Sequence, residues 1–309
     1  MNHSLFEKLA QRRGGIRLYG IAPPKSSTPP EQLHSIAAQQ VARIEALDVD
    51  GLVVYDIQDE SERIKEPRPF PFLPTLPADA YAQVQLRALS VPKVVYHSVA
   101  RETPESFAAW LTENPSAPSI AVLVGAPSRT ARPGLSLEQA YELVGRCAPE
   151  LVLGAIAIAE RHARRCDEHE RMLVKMDRGC RFFVTQAVYD VTSTLSLLSD
   201  YAIATGARGL QPAPVILTFS PCGSEKTLAF MKWLGIAFPR WLENELRLAR
   251  DPLETSLALC TRIFEEVWGY AREKGVPLGV NVESVSIRKA EIEASLELAV
   301  SLRGVIDRG

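Results

Sequence analysis

Carboxylates, a histidine and an amide that follow short apolar runs are the residues of this chain best suited to acid–base work and ligand recognition. Asp56 and Asp59 follow the run Gly51-Leu-Val-Val-Tyr55, and Glu283 ends Leu278-Gly-Val-Asn-Val-Glu283. A carboxyl group so placed serves as general acid or base when its surroundings bring its pKa toward the working pH. His97 ends Val-Val-Tyr-His, where it either donates a hydrogen bond to a ligand or bonds a backbone carbonyl of the rim. Gln186 closes Arg-Phe-Phe-Val-Thr-Gln, and its amide can donate and accept together along a heterocycle edge, or serve a neighbouring loop. Tyr189, just beyond it, has the ring to stack on a ligand. Tyr55, Gly125 and Phe219 end other runs, and Glu160 and His162 follow a fifth.

His162 and His169 flank Asp167 and Glu168, a combination that suggests a metal site. The H-E-x-x-H zinc arrangement needs histidines one helical turn apart, and these stand farther apart, so no metal is expected from the spacing. Asp167 and Glu168 read instead as first-turn carboxylates at the positive end of a helix dipole. The five cysteines, Cys147, Cys166, Cys180, Cys222 and Cys260, are odd in number and form no C-x-x-C pair. That argues against a disulfide framework and a cysteine zinc site, and leaves Cys222, in Ser-Pro-Cys-Gly-Ser, as the candidate exposed thiol.

Positioning these residues falls to elements that alternate along the chain. Short apolar runs occur at 16–22, 51–56, 93–98, 119–125, 151–158, 181–186, 214–220 and 278–283. Helical patterns lie between them at 30–47, 78–89, 104–113, 136–147, 167–178, 191–205, 224–234 and 252–274, with 288–302 closing the chain and an extra helix within 239–251. One-to-one alternation of strands and helices predicts a single (β/α)₈ barrel spanning the chain, with its site at the C-terminal strand ends. A doubly wound sheet is the alternative, but no G-x-G-x-x-G follows the first run. Ser136 with Gln139 is a helix start, Gly179 a stop, Pro252 a first-turn residue, and 63–77 a proline-rich loop.

At 309 residues, with 46% hydrophobic and 23% charged residues, the chain can bury a large core, and its formal net charge of −2 gives no general attraction to nucleic acid or anionic membrane. No membrane-length apolar run or secretory leader pattern is present, so a cytoplasmic protein is expected, with a small-molecule partner and room for a homo-oligomer.

The segment from Glu160-Arg-His through Asp167-Glu-His-Glu-Arg-Met-Leu-Val-Lys-Met-Asp-Arg-Gly-Cys-Arg-Phe-Phe-Val-Thr-Gln186 resembles the strand-five to strand-six region of methylenetetrahydrofolate reductases. Tyr19-Gly-Ile-Ala-Pro-Pro-Lys25 is similar to that family's Phe-Glu-Phe-Phe-Pro-Pro start. The resemblance implies a barrel that binds FAD, takes hydride from NADH or NADPH, and reduces methylenetetrahydrofolate. By the same resemblance Gln186 meets the pterin, His97 lies by the flavin, and His162, Glu168 and Lys175 hold the rest of the cofactor. From their places at strand ends, Tyr189 and Phe219 are expected on the substrate side and Tyr55 and Gly125 on the cofactor side. Two family acids are replaced: the catalytic glutamate's place is Gly20, and the family Arg-Gly-Asp is Val124-Gly125-Ala126. Glu283 or Asp56 must then supply the proton in a working reductase. The alternative is a folate- or flavin-binding protein, or a folate-dependent transferase, without reductase chemistry.

Overall fold

Strands of 4 to 6 residues form at all eight apolar runs: β1 Ile16–Ile21, β2 Gly51–Val54, β3 Lys93–Ser98, β4 Ile120–Val124, β5 Val152–Ala157, β6 Phe182–Ala187, β7 Val215–Phe219 and β8 Leu278–Glu283. The computed structural model describes residues 4–59, 66–114, 117–125 and 134–309, so positions 63–65 of the proline-rich loop, and Ala126, lie outside the described residues. All neighbouring strands pair in parallel, and β1 pairs with β8, which closes the barrel in sequence order.

The helices around it are α1 Leu5–Ala10, α2 Pro30–Glu45, α3 Ala78–Ala80, α4 Pro104–Thr112, α5 Leu137–Cys147, α6 Ala159–Arg165, α7 Glu168–Asp177, α8 Val191–Ala207, α9 Glu225–Trp233, α10 Arg240–Leu248, α11 Pro252–Glu273 and α12 Lys289–Arg308. The expected helix at 78–89 is one α turn continued by a π turn, Tyr81–Gln85, in which the Leu86 N–H reaches the Tyr81 carbonyl. The start and stop signals hold: Ser136 and Gln139 form a capping box, Gly179 adopts φ +97° past α7, and Pro252 sits in the first turn of α11 behind Asp251. Helices α1 and α6 were not expected. No helix among the described residues is long and apolar enough to cross a membrane.

Two cores result, because side chains on a strand alternate between its faces. The larger lies between barrel and helices; the smaller fills the barrel with Ile16, Leu18, Val53, Val94, Ile120, Val122, Phe182, Val184 and Ile216. Leu5 and Leu9 of α1 belong to the inner core and plug the end of the barrel opposite the mouth. Gly51 makes room for this plug, since a Cβ there would stand 2.7 Å from Leu5 Cδ2. Lys8 Nζ donates to Asp50 Oδ2 at 2.7 Å and to the Gly15 carbonyl at 2.9 Å, fastening α1 to the barrel floor.

Removing the plug's apolar contact is expected to be costly. Leu5→Ala should lower stability by about 2–5 kcal/mol, the usual range for a buried leucine. Urea denaturation followed by circular dichroism measures it; a loss below about 1 kcal/mol would show that α1 is not part of the core.

Candidate functional site

Strand alternation decides which rim residues face the barrel mouth. On β8, Leu278, Val280 and Val282 belong to the outer core, so Asn281 and Glu283 point inward. Glu283 pairs in register with Gly20 on β1, placing its carboxyl beside a position that carries no side chain. A Cβ on residue 20 would lie 2.8 Å from Tyr55 Cε2, 3.2 Å from its Oη and 3.3 Å from Asn281 Oδ1. Tyr55 therefore occupies the room a side chain on residue 20 would need. Its hydroxyl accepts from Asn281 Nδ2 at 2.8 Å and donates to the Glu283 carboxylate. Asn281 Nδ2 also reaches Thr218 Oγ1 at 3.3 Å, and the Tyr96 ring meets that of Tyr55 edge-on at 4.8 Å.

Burial pushes the Glu283 carboxyl up to about 7, with the Tyr55 hydroxyl bond opposing the rise. Desolvation, and then the charge of Glu283, raise the Tyr55 phenol well above its ordinary range, so it stays a hydroxyl. The arrangement can hold and release a proton near neutral pH on the inner face of the barrel.

The other half of the mouth is a cavity of about 840 Å³, bordered by the ends of β4–β6 together with α5 and α7. Arg161, Arg171, Lys175 and Arg178 line it, as do Gly125 and Gln186. Lys175 Nζ donates to the Ile156 carbonyl at 2.6 Å. Glu168, fully buried in the first turn of α7, accepts from the Ile158 N–H at 3.2 Å and stands 3.2 Å from Arg161. Burial lowers the Lys175 pKa, opposed by Glu168, and raises that of Glu168, opposed by Lys175 and Arg161. Glu168 thus braces the cations and does not face a ligand. Glu138, Asp167 and Glu170 line the cavity too, and Arg161, Arg171 and Arg178 pair with Glu168, Asp167 and Glu142, so carboxylates or phosphates of a ligand would compete with those partners for the cations.

Gln186 borders the cavity at an irregularity in the β6–β7 pairing, where the Thr185 hydroxyl takes the Thr218 N–H at 3.0 Å. Bulges of this kind re-aim side chains near sites. One amide hydrogen of Gln186 goes to the Leu234 carbonyl at 2.6 Å, as expected of a glutamine that serves a neighbouring segment.

Several expected site residues face elsewhere. His97 follows the inward Tyr96 and so points out to α4, stacked on Trp110 at 4.0 Å with Nε2 3.2 Å from Glu102. Phe219 points outward onto Phe264, with ring centres 5.7 Å apart. Tyr189 is fully buried, donating to the Ser220 carbonyl at 2.6 Å and packing on Phe238. His162 lies on α6, turned from the mouth toward Asp200 of α8. Asp56 accepts from the Ser98 N–H at 2.9 Å and from Gln58 at 2.7 Å, which ties the β2 loop to β3 instead of leaving a carboxyl for the mouth. Cys222 is buried, and burial pushes its thiol up to about 12, so it is no reactive thiolate. Sequence reasoning missed Arg161 and Arg171, whose spacing carried no strand-end signal.

One solved structure is described as an uncharacterized protein from Clostridium thermocellum that binds two copies of 5-methyl-5,6,7,8-tetrahydrofolic acid. It is 41% identical to this chain, with a TM-score of 0.86 over 97% of this chain and 99% of that one. A psychrophilic glycoside hydrolase family 10 endo-β-1,4-xylanase shows 9% identity and a TM-score of 0.47 over 96% of this chain and 99% of that one. An endo-1,4-β-xylanase from Caldicellulosiruptor owensensis shows 11% and 0.48 over 92% and 89%. These two are too remote to carry an argument. No family model matches the chain, and no curated protein matches it.

The raised Glu283 pKa has a signed consequence for stability. Its contribution is fully present below about pH 4, the unfolded value, and is lost as pH rises through about 7. Glu283→Gln removes that loss. Its stability relative to the unmodified protein should therefore improve between pH 4 and pH 8 by on the order of 1–3 kcal/mol. Urea midpoints at the two pH values measure the change, and a pH-independent difference would show an unshifted carboxyl.

Proposed function

We propose that this chain, which belongs to one family with the Clostridium thermocellum protein, binds a reduced folate of the 5-methyltetrahydrofolate kind at the mouth of its barrel. The observation that carries the reading is the 41% identity over nearly the whole of both chains to a protein that binds two copies of that compound. The geometry supports it. A reduced folate joins a hydrogen-bonding pterin to a glutamate tail with carboxylates. Gln186 offers an amide for the first, and Arg161, Arg171, Lys175 and Arg178 offer cations for the second. A cavity of about 840 Å³ is of the size that takes such a ligand.

A second reading, reduction of methylenetetrahydrofolate to methyltetrahydrofolate, is favoured by Glu283 beside Gly20. The reaction takes one hydride and one proton, and a carboxyl with a pKa near 7 on the inner face can hold the proton. The hydride would come from NADH or NADPH. The cations that suit a folate tail equally suit the diphosphate of FAD, which would supply hydride relay when bound. With Val124-Gly125-Ala126 where the resembling reductases have Arg-Gly-Asp, a bound flavin ring would lack that aspartate after β4. A folate-binding protein or folate-dependent transferase needs neither cofactor.

Calorimetric titration with 5-methyltetrahydrofolate tests the first reading: saturable binding is expected, and Gln186→Ala should weaken it about tenfold, the value of one to two hydrogen bonds. No binding by the unmodified protein would overturn it. For the second, oxidation of NADH and NADPH is followed with methylenetetrahydrofolate, with and without added FAD. Turnover should decline above about pH 7, as the Glu283 proton is lost. Glu283→Gln should reduce turnover by roughly 10²–10⁴-fold with folate affinity intact. Absence of turnover under all four conditions leaves binding alone as the function.

A further inference from the structure

We propose that His162, His169 and Asp200 form a binding site for a zinc-class divalent cation on the helical shell, apart from the barrel mouth. One ligand atom from each residue can be chosen so that all three lie within 4.8 Å of one another. His162 Nε2 stands 3.1 Å from Asp200 Oδ2, and the two imidazole rings meet edge-on with centres 5.4 Å apart. Two imidazoles and a carboxylate are a donor set that zinc and cobalt accept. With zinc–nitrogen bonds of about 2.0–2.1 Å, neighbouring ligand atoms of a tetrahedral site stand about 3.3 Å apart. The His162–Asp200 pair is already near that spacing, and His169 has to close in from within 4.8 Å.

The fold explains how residues of unpromising spacing converge. Cys166, with φ +53°, ends α6 in the left-handed conformation, so α7 sets off in a new direction. His162 on α6 and His169 on α7 then face each other across the turn, and α8 packs against both helices and brings Asp200. A single-helix spacing rule does not apply to a pair split between two helices.

Independent observations point to a ligand. His162 is only 2% exposed, yet its Nδ1, like that of His169, is buried with no hydrogen-bond partner among the described residues. In His162 the nitrogen turned to Asp200 is Nε2, so a cation taken there leaves the ring proton on Nδ1, while the unpartnered Nδ1 of His169 has a lone pair free for a cation. A cleft of about 500 Å³ opens on His162 and Asp200 and is bordered by the exposed Cys166. It gives a cation an entry path and leaves a fourth position open to water or another small ligand. A bound cation would clamp three helices together, so its binding energy would add to folding stability.

The test begins with protein stripped by a chelator and titrated calorimetrically with Zn²⁺ or Co²⁺ alone. One equivalent should bind, Co²⁺ should develop visible absorption bands, and Zn²⁺ at about a hundredfold excess over Kd should raise Tm by several degrees. His169→Gln and Asp200→Asn, both at half-buried positions, should each weaken binding at least tenfold while keeping the metal-free urea midpoint of the unmodified protein. Absence of binding, or binding that both variants leave unchanged, would overturn the site. Affinity for 5-methyltetrahydrofolate is expected to be the same in both variants, since neither residue lines the mouth cavity.

Discussion

Closure of the parallel barrel is the constraint on which the rest depends. Once β1 pairs with β8, every strand residue is assigned to the interior or to the helical shell, and a one-residue change of parity moves a side chain from one to the other. Tyr96 and His97 illustrate the rule: the first shares the inner face with Tyr55, and the second stacks on Trp110 outside the barrel. Closure also makes Gly20 and Glu283 neighbours although they stand near opposite ends of the chain.

The inner face is managed by exchanging volume between neighbouring strands. Where β1 carries Gly20, the Tyr55 ring from the end of β2 fills the room, and its hydroxyl links Asn281 to Glu283. Glu283 stands one strand away from Gly20 at the same height in the barrel, and its desolvation brings the carboxyl into the range useful for proton transfer at neutral pH. At the opposite end Gly51 admits Leu5, so α1 closes the floor. Loss of a side chain at one position is matched at both ends by entry of a larger one from an adjacent element, as dense packing requires.

Charge is placed with the same economy. Arg161, Lys175 and Glu168 form a partly buried group in which the carboxylate opposes the desolvation of Lys175 and anchors the loop after β5 through the Ile158 N–H. The helix pair that carries this group toward the mouth presents His162 and His169 on its other side, toward Asp200. The short turn at Cys166 therefore serves two surfaces: cations at the mouth and imidazoles on the shell.

By itself the sequence determined the barrel, because eight short apolar runs alternating with amphipathic segments have few other ways to bury their surfaces. It also located Gln186 and Glu283 at or beside strand ends, and Ser4-Leu-Phe-Glu7 carried a readable capping box for the unexpected α1. Helix α6 was not legible, because it begins directly after β5 with no side-chain cap, and the left-handed turn that ends it falls on a cysteine rather than a glycine. Only the tertiary structure decided that His97, Tyr189 and Phe219 turn away from the mouth and that Asp56 is taken up by the Ser98 N–H. It alone brought Asp200 to two histidines. Strand ends can be located from composition, but which way a side chain leaves the end of a strand, and what meets it there, depends on pairings between residues far apart in the chain.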